Sequence, residues 1–143
     1  MVMQPLSRRK FIGATAVGAT LMLAPGAKLF GQNKSPNGKL NIALIGMGAE
    51  GRVLLESLLK IEGIQLVAIV DIWDYARSYG ERYLKAMNVS VRTYENYEDL
   101  LAHEKDLQAA VVATPDFWHA PITNACLKAG LHVYCEKMMS NTI

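Results

Sequence analysis

Three glycines and one acid carry the clearest chemistry in this chain. The apolar, β-rich run Leu40-Asn41-Ile42-Ala43-Leu44-Ile45 ends in Gly46-x-Gly48-x-x-Gly51, and an apolar-periodic segment follows at once. Strand, glycine loop and helix in that order build a site for a dinucleotide. Gly46 lets the chain turn sharply out of the strand. Gly48 has no side chain to hold a pyrophosphate away from the backbone, and Gly51 lets the helix pack closely on the strand. Met47 lies inside the same loop and is counted with the cofactor-binding positions. The helix N-terminus offers free N–H groups and a partial positive charge to the phosphates. The next strand-like run, Ile64 to Val70, ends at Asp71, 20 residues beyond Gly51. That is the spacing expected of the acid that takes the adenosine ribose hydroxyls.

The elements that must position these residues follow from periodicity. Val53, Leu54, Leu55, Leu58, Leu59 and Ile61 mark one broad helical face after the glycine loop. Arg52, next to the last glycine, reads as a phosphate contact or as a solvated side chain. Beyond Asp71 a second helix is expected, capped by Asp74 and carrying Ala76, Tyr79, Tyr83 and Met87 as a packing stripe. Gly80 inside it weakens the helix by roughly 1 kcal/mol against alanine. Trp73 reads as a border of the adenine or as a cover for the sheet edge. A third strand is expected over Val89 to Tyr94, then a short helix capped by Asn96. Leu107 to Ala113 is nearly all apolar, as suits a parallel strand buried on both faces. A helix from about Phe117 closes at Gly130, and Leu131 to Cys135 reads as a fifth strand.

This alternation predicts an α/β fold: a Rossmann-type doubly wound parallel sheet of about five strands in the order 3-2-1-4-5. Ligands of such sheets bind beyond the carboxyl ends of the strands. Those ends carry Gly46, Asp71, Thr114, Pro115, Glu136 and Lys137.

Composition narrows the partners. The formal net charge of +2 is too small to point to nucleic acid, and outside the N-terminus no basic run occurs. Cys126 and Cys135 give no metal spacing and no disulfide framework, so no metal is expected. The N-terminus has its own signature. Ser7-Arg8-Arg9-Lys10-Phe11-Ile12-Gly13 opens a stretch free of charge from Phe11 to Ala27. Paired arginines before a modest apolar run read as a twin-arginine export signal, with Ile12 and Gly13 in place of the usual Leu and Lys. The expected organisation is a signal segment over 1–31, a polar linker over 32–38 and a folded domain over 39–143. The export machinery is then a partner, and the location is periplasmic or extracytoplasmic, with a membrane anchor if the signal is retained.

The residues from Leu40 to about Ile143 resemble the N-terminal domain of the Gfo/Idh/MocA oxidoreductases. The matching pieces are Ala43 to Gly51, Asp71, Tyr97-Glu98-Asp99-Leu100-Leu101, Ala113-Thr114-Pro115-Asp116-Phe117-Trp118-His119 and Cys135-Glu136-Lys137. The glycine loop is common to many dehydrogenases; the Thr-Pro-Asp-x-x-His and Glu-Lys pieces in this order are more specific. The resemblance implies NAD(P)-dependent hydride transfer to or from a carbon of a sugar or polyol. It implies that Thr114 and Pro115 line the cofactor, that Glu136 holds the nicotinamide ribose, and that Lys137 lies beside the nicotinamide and the substrate hydroxyl as the catalytic residue. A lysine there can stabilise a developing alkoxide or relay its proton. Asp71 favours NAD over NADP, because a carboxylate repels a 2′-phosphate, and Arg77 is too far along the sequence to change that. His119 is expected to cap or pack at its helix start.

Two departures accompany the resemblance. Met138 stands where the family has a proline, so the turn that aims Lys137 is expected to differ. Family members also carry a second, larger α/β domain with the substrate pocket and the usual acid–base residue. On this reading residues 39–143 are the nucleotide-binding part, incomplete at the C-terminus, and the family's homo-oligomer interface lies elsewhere. Two alternatives stay open: an NAD-dependent glycoside hydrolase of the same fold, as some exported relatives are, and a non-catalytic dinucleotide-binding module.

Overall fold

Five short apolar runs pair side by side into one parallel sheet, in the order β3-β2-β1-β4-β5. The computed structural model describes residues 38–139. The signal and nearly all of the linker expected from the sequence lie outside them. The elements are β1 (Leu40–Ile45), α1 (Ala49–Leu58), β2 (Ile64–Val70), α2 (Asp74–Ala86), β3 (Arg92–Tyr94), α3 (Tyr97–His103), β4 (Ala109–Val112), a 3-10 turn (Asp116–Trp118), α4 (His119–Lys128) and β5 (His132–Cys135). All four strand pairs are parallel. Order and topology are those expected from the sequence.

The sheet is buried on both faces, and the period of two along β1 shows how. Ile42 and Leu44 point into one core with Leu55 of α1 and Ala76 and Leu84 of α2. Ala43 and Ile45 point into the other with Leu100 of α3 and Ile122 and Cys126 of α4. At about 25 cal/mol per Å2 of apolar surface, side chains such as Leu44, Ile45, Leu55 and Leu100 stabilise the fold by roughly 1.5–3 kcal/mol each.

Several boundaries differ from the sequence reading. β3 pairs only over Arg92–Tyr94, because Val89 and Val91 pack against the core ahead of the pairing. Leu107 is buried, yet the ladder of β4 begins at Ala109. Val53 and Ile61 are more than half exposed, so the buried face of α1 is narrower than its periodicity suggests. Trp73, not Asp74, is the N-cap of α2; Asp74 lies in the first turn and pairs with Arg77 at 3.2 Å. Asn96 does cap α3, accepting from the Asp99 N–H at 2.8 Å. Gly80 is not a flaw in α2. A Cβ there would stand 2.6 Å from Ile69 Cδ1 and 2.8 Å from Met47 Cε, so the glycine lets α2 lie close against the sheet.

One ionic cluster fastens the β3 edge. Glu104, 8% exposed at the end of α3, accepts hydrogen bonds from the Arg92 guanidinium and from Tyr94 Oη. Burial pushes its carboxyl up, but the hydrogen bonds from Arg92 and Tyr94 and the Arg92 charge outweigh burial and leave it below the ordinary glutamate value. Among the described residues no helix is long and apolar enough to cross a membrane.

Candidate functional site

The carboxyl ends of β1, β2 and β4 open onto one cavity of 440 Å3, within the range of about 300–1,000 Å3 typical of ligand pockets. Gly46, Gly48, Asp71, Thr114 and Pro115 line it. The parallel topology brings these residues together, because each stands just beyond a strand that ends at the same side of the sheet.

The three glycines of the loop are there for different reasons. Gly46 has φ +101°, and a Cβ on it would lie 2.6 Å from the Ala113 carbonyl oxygen. Gly51 is buried; a Cβ there would lie 2.0 Å from the Gly46 carbonyl oxygen. Both are required by the protein's own backbone. Gly48 is not. It caps α1 with φ −68°, a value open to any residue, and a Cβ on it would meet nothing within 4 Å. The space that a side chain would fill opens into the cavity, at the start of a helix whose first N–H groups have no partner within the helix. The free N–H groups and the dipole of a helix start favour an anion there.

Asp71 holds the loop from the side. Its Oδ2 accepts the Met47 N–H at 2.7 Å, and its Oδ1 accepts the Trp73 N–H at 2.8 Å. The Met47 side chain is fully buried against the sheet, so Met47 offers the cavity backbone only, and its N–H is already engaged by Asp71. Arg52, next to the last glycine, is engaged within the protein. Its Nε donates to the Met47 carbonyl at 3.2 Å, and its guanidinium lies 4.0 Å over the Tyr79 ring. Arg77, set aside on sequence distance, lies against Asp71 after all. Its Nη1 donates to the Asp71 carbonyl at 2.7 Å, and its Nη2 to Asp74. One turn of α2 closes a gap that counting along the chain leaves open.

The rim is apolar. Ile72 and Trp73 stand on one side and Phe117 and Trp118 on the other, between 45% and 80% exposed. Large exposed side chains gathered at one cavity mark a surface for a flat apolar group such as a base. Glu95 and Glu98 also line the cavity beside Asp71. On its wall, Thr114 Oγ1 is buried with no hydrogen-bond partner among the described residues.

Glu136 and Lys137 stand just past β5, outside the lining of this cavity. Glu136 accepts from Tyr134 Oη at 2.8 Å and from the Lys137 N–H at 3.2 Å, and the first of these bonds raises the Tyr134 phenol above its ordinary value. The Lys137 side chain is exposed, and the Lys137–Met138 peptide bond is cis. His119 packs at the start of α4, as expected. It is 1% exposed and contacts main-chain carbonyls of two loops, a pattern that leaves no mark in the sequence. Cys126 is buried, and burial pushes its thiol up to about 11, so it is inert at neutral pH. Among the described residues no cluster of histidine, cysteine and acid could hold a metal.

Comparison with known proteins agrees with this geometry. The profile of the Gfo/Idh/MocA family, described as an oxidoreductase family with an NAD-binding Rossmann fold, matches residues 40–143. A glycosyl hydrolase family 109 protein of Stenotrophomonas maltophilia is 30% identical over 144 residues, covering 96% of this chain and 31% of that protein. The structure of a myo-inositol 2-dehydrogenase from Lactobacillus plantarum superposes with a TM-score of 0.66 at 29% identity, over 73% of this chain and 30% of that one. The dehydrogenase WlbA of Bordetella pertussis, in complex with NADH and UDP-GlcNAcA, does so at 0.63 and 26%, over 73% and 31%. The chain spans about a third of the length of the curated relatives it matches. It belongs to the Gfo/Idh/MocA family and carries that family's NAD-binding Rossmann domain.

Proposed function

We propose that this chain supplies the NAD site of an oxidoreductase that moves hydride between the nicotinamide and a carbon of a sugar or polyol. The observation that carries the reading is Gly48: neither its backbone conformation nor its protein neighbours require glycine, yet its missing side chain leaves room inside the one cavity that Asp71 also lines. The loop from Gly46 to Gly51 and the start of α1 would hold the diphosphate, and Asp71 the adenosine ribose. Thr114 and Pro115 would form the wall, Glu136 would take the nicotinamide ribose, and Lys137 would face the substrate hydroxyl. Bound NAD would supply the hydride acceptor. Lys137 would then stabilise negative charge on the substrate oxygen or relay its proton. Asp71 at the end of β2 favours NAD over NADP, since a carboxylate there repels a 2′-phosphate.

A second reading is supported by one observation. Glycosyl hydrolase family 109 proteins recur among the relatives, that of Stenotrophomonas maltophilia at 30% identity, beside an inositol 2-dehydrogenase of Rubrobacter xylanophilus at 30%. In a hydrolase of this fold NAD would be used and restored within each turnover. The two readings differ in whether NADH accumulates with substrate. The basic residues Arg8, Arg9 and Lys10 ahead of the uncharged run support export by the twin-arginine route. Export of a reporter fused to residues 1–38 that survives Arg8→Lys/Arg9→Lys would refute that part.

The cofactor reading is tested by fluorescence. The chain has two tryptophans, Trp73 and Trp118, and both line the cavity. Bound NADH should therefore quench tryptophan emission and gain it as sensitised nicotinamide emission. A folded chain that shows neither effect at millimolar NADH has no cofactor at this cavity.

A further inference from the structure

His119 is the most deeply buried titratable side chain beside the cavity, at 1% exposure. A polar group so placed has to be paired, and both ring nitrogens are. Nδ1 lies 2.6 Å from the Met138 carbonyl oxygen, and Nε2 lies 2.7 Å from the Thr114 carbonyl oxygen. Carbonyl oxygens only accept, so a ring nitrogen that bonds to one does so by donating its N–H. The carbonyls belong to different loops. Thr114 follows β4 and walls the cavity, whereas Met138 follows the Glu136-Lys137 pair beyond β5.

That turn has few other anchors. The Glu136 N–H donates to the Val112 carbonyl at 2.9 Å, continuing the β4–β5 ladder. The remaining bonds, Tyr134 to Glu136 and the Lys137 N–H to Glu136, are local and exposed. Among the described residues, the His119–Met138 contact is the hydrogen bond that ties the chain after Lys137 back to the body of the fold.

We propose that His119 is a positioning residue: it clasps the Thr114 loop to the Met138 carbonyl and so sets where Lys137 stands relative to the cavity. This rests on reading Glu136-Lys137 as the nicotinamide end of the site. A histidine that merely fills the start of α4 would stabilise the fold and touch both ends of the ligand alike. A clasp acts on the nicotinamide end alone.

The two arms can be cut separately. In His119→Gln the amide nitrogen reaches the place of Nε2 and keeps the Thr114 arm; in His119→Asn it reaches the place of Nδ1 and keeps the Met138 arm. The full chain and both variants are titrated with NAD and with ADP, which lacks the nicotinamide riboside, and melting is followed by circular dichroism. The clasp predicts that His119→Gln, which frees the Met138 carbonyl, weakens NAD by about tenfold while ADP stays within about twofold, and that His119→Asn, which keeps Met138 tied to α4 but frees the Thr114 loop, falls between His119→Gln and wild type. Equal losses for NAD and ADP, or an unchanged NAD affinity in folded His119→Gln, would overturn it. A wild-type chain that binds ADP and NAD equally well overturns the clasp and leaves the glycine-loop reading standing. A chain that binds neither overturns the cofactor reading itself. If the variants do not fold, NMR of the wild-type chain decides. A solvent-protected ring N–H signal of His119 that moves with NAD and not with ADP supports the clasp; no NAD-specific shift refutes it.

Discussion

Replacing Gly48 by alanine should separate binding from folding, and the structure fixes both magnitudes. At φ −68° with no atom within 4 Å of the new methyl group, the folded state accepts it without strain. Gly→Ala at a compatible position stabilises by about 0.4–1 kcal/mol through the unfolded chain. Alanine is a poorer N-cap than glycine by up to about 1 kcal/mol, so the two effects nearly cancel. The methyl group does intrude on the diphosphate. Overpacking of about 1–3 kcal/mol, at about 1.4 kcal/mol per tenfold, weakens NAD by about five- to 140-fold. Gly51→Ala is the contrast: its Cβ would stand 2.0 Å from the Gly46 carbonyl oxygen, and the fold itself should suffer. The assay is a thermal melt of each variant beside a calorimetric NAD titration. If Gly48→Ala lowers the melting temperature as much as Gly51→Ala, or leaves NAD affinity unchanged, then Gly48 is structural and the cradle holds no diphosphate.

Further expectations follow from other residues. Asp71→Asn replaces one of two acceptors that hold the Met47 and Trp73 N–H groups, so it should cost about 1–2 kcal/mol in denaturant unfolding. It should also narrow the preference for NAD over NADP when both are titrated. Glu104 lies below its ordinary value of 4.5 in the folded chain. Its stabilisation is therefore full above that value and fades as pH falls through the lower, folded one. Glu104→Gln should lower stability by about 1–2 kcal/mol at pH 7 and flatten the acid limb of a stability–pH curve, and an unchanged limb would remove Glu104 from the account. Cys126, buried and with its thiol pushed up to about 11, should resist a thiol reagent at pH 8 until the chain unfolds. Rapid labelling of Cys126 in the folded chain would show that the α4 side of the core opens.

The glycine loop, Asp71 and the strand order could be read from the sequence because each rests on local chemistry. Glycine spacing reports backbone turns, and parallel strands joined by right-handed crossovers leave few orders to choose from. The misses arose where tertiary contacts overrule local pattern. Asp74 looks like a cap, but α2 begins one residue too early for it, and its carboxylate meets Arg77 instead. The helix expected from Phe117 starts at His119, behind a 3-10 turn in which Asp116 accepts the Phe117 N–H. His119 packs at the start of α4 as expected, but its partners, main-chain carbonyls 5 and 19 residues away, could not be read, since carbonyls carry no residue type.

The central claim is that the cavity beyond β1, β2 and β4 is a site for NAD. Calorimetric titration of the full chain with NAD and with NADP tests it most directly. The account predicts saturable NAD binding, with NADP weaker by about tenfold or more because the Asp71 carboxylate repels a 2′-phosphate. A chain that circular dichroism shows to be folded, yet binds no NAD or binds NADP as tightly, would contradict it.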